Sequence, residues 1–148
     1  MINLKDIKLV STDLDGTLTD GSIYIDSQGK ETRGYCVYDG QRIGEAKDMG
    51  VYFACITASK DPGIAIRMEK LGFDHCITGV KNKGPVLREL LLKNNINKEN
   101  ALHIGDDIND LEAFLEVGLK VAVFGGNQML IDVSDYTTKV AGGKGTLR

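Results

Sequence analysis

The stretch VYFACIT, residues 51–57, runs through six apolar residues before it reaches a threonine. A run this short and this apolar reads as a β-strand covered on both faces. Strands of that kind belong to parallel sheets, where the crossover helices supply the cover. The rest of the chain keeps the same rhythm. Residues 7–12 predict a short buried strand, ALHIG at 101–105 another, and LKVAVF at 119–124 another. FDHCITG, 73–79, is a weaker strand, and DYTTKV, 135–140, a short sixth. Helices are expected over 39–50, closed by Gly50, and from Pro62 to the stop at Gly72. The clearest helix covers 82–95, where Val86, Leu87, Leu90 and Leu91 share one face. A fourth is expected over 106–118. Residues 21–38 alternate apolar and polar around Ser27-Gln28-Gly29, which reads as a hairpin. Strands alternating with helices of about ten residues predict an α/β fold, a Rossmann-like three-layer sandwich with a parallel sheet. His75 is expected in a loop, and the glycine-rich tail AGGKGTLR is expected to be mobile or draped over a partner.

Composition narrows the function. A length of 148 residues fits one domain spanning 1–148. Lys and Arg number 18 against 21 Asp and Glu, a net charge of −3, so no phosphate-tracking basic face marks a nucleic-acid binder. No apolar run approaches the roughly 20 residues that cross a bilayer. The N-terminal MINLKDIKLV has no signal-peptide core, and the expected location is cytoplasmic. Cys36, Cys55 and Cys76 have neither the number nor the spacing of a disulfide framework or a zinc site.

In open parallel sheets, ligands bind beyond the carboxyl ends of the strands, near a switch in strand order. The residues at those ends therefore become candidates. The first strand ends at Asp13 and Asp15, VYFACIT ends at Thr57, and ALHIG ends at Asp106 and Asp107, with Asp110 a turn later. Lys81 and Lys83 follow the third strand. If these groups converge, they form a hard-oxygen site with a counter-charge. Such a site suits magnesium, which takes one or two carboxylates, waters and a phosphate oxygen. A carboxylate beside a metal-bound phosphate can attack phosphorus, and a second can move the proton.

Plainer readings stand beside these. Asp13 and Asp15 could be turn formers ahead of Gly16. A calcium loop counted from Asp13 fails, because its sixth and twelfth positions hold Leu18 and Tyr24. Asp106, Asp107 and Asp110 could cap a helix and complement its dipole. Lys81 reads as a solvated lysine, His103 as a satisfied core histidine and Cys55 as a small buried hydrophobe.

Taken together, the residues resemble the haloacid dehalogenase superfamily over nearly the whole chain. DLDGTLTDG matches its first motif, CIT at 55–57 its second, Asn82-Lys83 its third and GDDIND at 105–110 its fourth. Within the superfamily the chain is similar to the small uncapped phosphatases of ulosonic acid phosphates, foremost the 3-deoxy-D-manno-octulosonate 8-phosphate type. TDG after the first motif, the hairpin, GVKNK and AGGKGTLR carry that likeness. Between Asp15 and Thr57 there is room for the hairpin as a flap, not for a cap domain.

The resemblance implies Asp13 as nucleophile and Asp15 as general acid and base. It implies Mg2+ held by Asp13, the main-chain carbonyl of Asp15 and Asp106. Thr57, Ala58 and Lys83 would bind the phosphoryl group, and Asp107 and Asp110 would orient metal waters or Lys83. It also implies a homotetramer whose neighbouring hairpin and tail close the pocket, and a place in lipopolysaccharide biosynthesis. Two features depart from the pattern. The usual arginine after the second motif is missing from Thr57-Ala58-Ser59-Lys60, so Lys60 or Arg67 replaces it or the substrate differs. The tail stops at Arg148, where relatives often continue. A nine-carbon, sialic-acid-type 9-phosphate is an alternative substrate. A non-catalytic module beside a cytidylyltransferase is an alternative role.

Overall fold

The computed structural model describes residues 4–148, so the first three residues of the N-terminal segment lie outside it. The strands are β1 (Leu9–Thr12), β2 (Tyr24–Ile25), β3 (Glu31–Thr32), β4 (Tyr52–Ile56), β5 (His75–Ile77), β6 (Ala101–Gly105), β7 (Leu119–Ala122) and β8 (Tyr136–Thr137). The helices are α1 (Asp39–Asp48), α2 (Pro62–Leu71), α3 (Lys83–Lys93), α4 (Leu111–Phe114) and α5 (Gln128–Asp132). Six strands form one sheet in the order β5-β4-β1-β6-β7-β8. Every neighbouring pair in it is parallel. From β1 the chain builds outward through β4 and β5, then returns to the other side of β1 for β6. The switch in strand order therefore lies between β1 and β6.

The period of two along each strand assigns the faces. Ala54 and Ile56 of β4 meet Leu87, Leu90 and Leu91 of α3 and Ala113 of α4. Cys55, between them, meets Ile64 and Met68 of α2 on the opposite face. Both faces of β4 are thus buried, as an unbroken apolar run requires. Beyond them, α5 covers Ala122 through Leu130.

Local chemistry sets the element ends. Asp61 caps α2 by accepting from the Gly63 amide, with Pro62 at the first helical position. Asn82 caps α3 through the Gly84 amide. β2 and β3 pair through two residues each and turn at Asp26, whose Oδ1 accepts the amides of Gln28 and Lys30.

Three expectations change, and one helix is new. The helix expected over 106–118 is a 3-10 turn, Ile108–Asp110, followed by the one-turn α4. Asp110 turns its carboxylate back onto the amides of Asp106 and Asp107, which tightens that first turn. α5 follows an Asn127 cap in a stretch too short to show helical periodicity. His75 begins β5 rather than lying in a loop. The tail docks on its own chain: Thr146 Oγ1 donates to the Thr17 carbonyl at 2.8 Å, and the Leu147 amide to Asp39 Oδ1 at 2.9 Å. A Cβ at Gly142 would lie 2.0 Å from the Gly16 carbonyl oxygen, so only glycine fits that approach.

Candidate active site

β1 delivers Asp13 and β6 delivers Asp106 to the same end of the sheet, on either side of the switch point. The loop between Asp13 and Thr19 turns at Gly16, whose φ is +94°. A Cβ there would lie 2.1 Å from Asp106 Oδ2. The glycine thus admits the Asp106 carboxylate against the loop, where Thr17 Oγ1 donates to its Oδ1 at 2.9 Å. Asp13, Asp106 and Asp110 each bring an oxygen within 4.8 Å of the others.

Lys83 faces this group from the first turn of α3. Its side chain is fully buried, and Nζ lies 2.5 Å from Asp13 Oδ1 and 2.6 Å from Asp110 Oδ1. Burial disfavours the ammonium, but the charges of Asp13 and Asp110 outweigh it and raise its pKa. His103 Nε2 lies 2.9 Å from the same Asp110 oxygen. A carboxylate only accepts, so Nε2 carries the hydrogen. Burial pushes the Asp110 carboxyl up, yet the His103 hydrogen bond and the Lys83 charge win and hold it at about 2. His103 is a satisfied core histidine, and its partner is a member of the acidic cluster.

The other two acids are not satisfied in this way. Burial raises the Asp13 carboxyl, and the charge of Asp110 adds to the effect against the opposing pull of Lys83. Asp106 is pushed up to about 7 by burial and then by the charge of Asp13. Three carboxylates face one ammonium, an excess of negative charge in a partly dry site. The donors are all hard oxygens, with no thiolate or free imidazole among them. That set fits a hard divalent cation with two carboxylate ligands, the third acid being committed to Lys83 and His103.

Asp15 is held by a different set of partners. Its carboxylate accepts from Arg33, Nε to Oδ1 at 2.8 Å and Nη2 to Oδ2 at 3.3 Å. Arg33 also reaches Asp61 at 2.9 Å, Glu31 at 2.8 Å and Ser59 Oγ at 3.0 Å. Thr57 is buried at the end of β4, its Oγ1 accepting the Ser59 amide at 3.2 Å, while Ala58 is exposed. Asp107 is exposed and caps the 3-10 turn, and Asn127 Nδ2 donates to its Oδ1 at 3.0 Å. Lys81 is exposed.

Two clefts flank Asp15, one on the Asp106 side and one on the side of its partner Arg33. One of about 540 Å³ is lined by Asp15, Gly16, Asp106 and Lys144 of the docked tail, among others. The other, about 770 Å³, is lined by Arg33, Tyr35, Ser59 and Lys60 with their neighbours. Lys60 is thus at a cleft, whereas Arg67 lies over the Tyr35 ring at 5.5 Å with its Nε buried and, among the described residues, unpaired. Arg33 escapes a reading of sequence spacing, because nothing in ETRGY ties a hairpin arginine to an acid 18 residues upstream. His103 leaves a trace, as the lone ionisable residue in the apolar ALHIG.

Comparison with known proteins finds relatives in one family. The sequence pattern of the haloacid dehalogenase-like hydrolases matches residues 75–146. The 3-deoxy-D-manno-octulosonate 8-phosphate phosphatase of Escherichia coli strain B is 37% identical over 148 residues, 100% of this chain and 79% of that protein. The crystal structure of the enzyme of that name from Moraxella catarrhalis, in complex with magnesium ion, phosphate ion and KDO, superposes with a TM-score of 0.93. It is 37% identical, over 97% of this chain and 83% of that one. The cobalt-bound form of the Haemophilus influenzae phosphatase gives a TM-score of 0.93 at 31% identity, over 98% and 85% of the two chains.

Proposed function

Since the chain belongs to the haloacid dehalogenase-like hydrolases, and within them to the octulosonate 8-phosphate phosphatase family, we propose that it is a magnesium-dependent phosphatase of 3-deoxy-D-manno-octulosonate 8-phosphate. The observation that carries the reading is the convergence of Asp13, Asp106 and Asp110 with the buried Lys83 beyond β1 and β6.

Asp13 and Asp106, with the Asp15 main-chain carbonyl, would hold Mg2+, which supplies positive charge to the phosphoryl oxygens and to the acids around it. Thr57, the backbone at Ala58 and Lys83 hold the remaining phosphoryl oxygens. An Asp13 oxygen attacks phosphorus, and the bond to the sugar oxygen breaks. Asp15 protonates that oxygen as it leaves. The aspartyl-phosphate is then hydrolysed: Asp15, now a carboxylate, takes a proton from water, whose oxygen attacks phosphorus and frees Asp13 and phosphate. Asp110 keeps Lys83 aimed at Asp13, and Asp107 fixes the turn that presents Asp106. Charge neutralisation and alignment supply most of the catalysis.

The reading carries an assembly with it. Tyr24 is 67% exposed and Ile25 66% on the hairpin, apolar surface that an assembly would bury, in keeping with a homotetramer in which a neighbour's hairpin and tail close the pocket. The chain would act as one hydrolase domain in the cytoplasm. Ser59, standing where relatives usually have arginine, keeps a nine-carbon ulosonate 9-phosphate as the second reading.

A phosphate-release screen with Mg2+ separates the two. It compares octulosonate 8-phosphate, nonulosonate 9-phosphates and simple sugar phosphates. The highest kcat/KM should fall on the eight-carbon acid. A preference for the nine-carbon acids selects the second reading, and no turnover on any ester contradicts both.

A further inference from the structure

Every N–H of the Arg33 guanidinium has an oxygen to meet. Nε and Nη2 grip both oxygens of Asp15, Nη2 also reaches Ser59, and Nη1 reaches Glu31 and Asp61. The side chain is 3% exposed, although it hangs from a two-stranded hairpin outside the main sheet. Among the described residues, Asp15 has one other side-chain hydrogen-bond partner, Thr19 Oγ1 at 3.3 Å. The direction of its carboxylate is therefore set almost wholly from the hairpin. The guanidinium fork fixes a plane as well as a position, which a point charge does not.

We propose that Arg33 is the positioning residue for the proton-transferring carboxylate of Asp15, which makes the hairpin part of the catalytic machinery. The proposal rests on the reading of Asp15 as acid and base. The rival role is docking alone: the same contacts fasten a hairpin too small to be stable by itself.

Leaving-group dependence separates the two. When an alkyl phosphate is cleaved, the departing alkoxide oxygen must receive a proton, and Asp15 gives it. When p-nitrophenyl phosphate is cleaved, the phenolate departs without one. kcat/KM for both esters reports the step that transfers phosphoryl to Asp13. In Arg33→Ala the loss on the alkyl ester should exceed the loss on the aryl ester by about 10- to 100-fold, within the range of general acid catalysis. Arg33→Lys, which keeps the charge and the docking contact but not the fork, should recover part of that difference. It also serves as the folded control should the alanine variant fail to fold.

Equal losses on both esters, accompanied by a lower melting temperature, would make Arg33 a docking residue and overturn the proposal. So would unchanged kinetics on both. The alkyl ester is whichever sugar phosphate the wild type turns over, so failure of octulosonate 8-phosphate as substrate leaves the test standing. A wild type inactive on both esters contradicts the proposal together with the phosphatase reading.

Discussion

Asp13 and Asp15 share one loop, yet they belong to clusters built on opposite plans. Asp13 joins Asp106, Asp110 and Lys83 in a site formed by strand ends and the first turn of a helix, with an uncompensated surplus of negative charge. Asp15 joins Arg33, Asp61 and Ser59 in a site formed by loops and a hairpin, where one guanidinium uses all its donors. The inner cluster pushes two carboxyls upward, and the outer one holds its acid in a bidentate grip. Electrostatic frustration is what a bound cation would relieve, and hydrogen-bond saturation is what holds a geometry.

The sharpest way to break the contrast is to neutralise the frustrated side. Asp13→Asn should lower phosphate release on the order of 10³-fold or more while the fold persists, measured by single-turnover kinetics and circular dichroism. Full activity would remove Asp13 as nucleophile. Gly16→Ala comes next. Its methyl would occupy the space of the Asp106 carboxylate at a φ that L-residues rarely adopt. Calorimetric titration should show loss of Mg2+ binding.

Lys83→Met leaves Asp13 and Asp110 buried without their ammonium. Unfolding by denaturant should show a loss of about 3–5 kcal/mol, the cost of breaking a buried pair on one side. A loss under about 1 kcal/mol would place the lysine in a surface-like setting.

The smallest effect is a pH dependence. Asp106 titrates at about 7 in the metal-free fold against an ordinary 3.8. Between those values the folded chain holds a proton that the unfolded chain has lost. Stability of the metal-free protein should therefore fall as pH rises through that window. A divalent ligand displaces the proton, so the rise in melting temperature on adding Mg2+ should be larger at about pH 8 than at about pH 5.5. Asp110 acts in a separate window: held at about 2, its contribution is lost only as pH falls from about 4 toward 2.

The sequence-readable part of this molecule is the part built on the sheet. VYFACIT announces a doubly covered strand, and β4 is one. Strand-end acids are expected at one end of a parallel sheet, and Asp13 and Asp106 meet there across the switch point. What escapes the sequence is whatever depends on a long side chain reaching between segments. Arg33 meets Asp15 only after the hairpin has folded over the loop. The tail likewise reads as loose because glycines suggest freedom, yet Gly142 is needed for close backbone contact with Gly16. The GDDIND turn reads as a regular helix start until the Asp110 carboxylate is seen to fold back onto its own amides.

If the inner acids are arranged around a cation, a crystal grown with manganese in place of magnesium, with anomalous diffraction recorded, will locate it. One anomalous peak should appear, bonded to the carboxylates of Asp13 and Asp106, with Asp110 still on Lys83. No peak at that cluster, or a metal bound instead by the side-chain carboxylates of Asp15, Asp61 and Glu31, would overturn that arrangement.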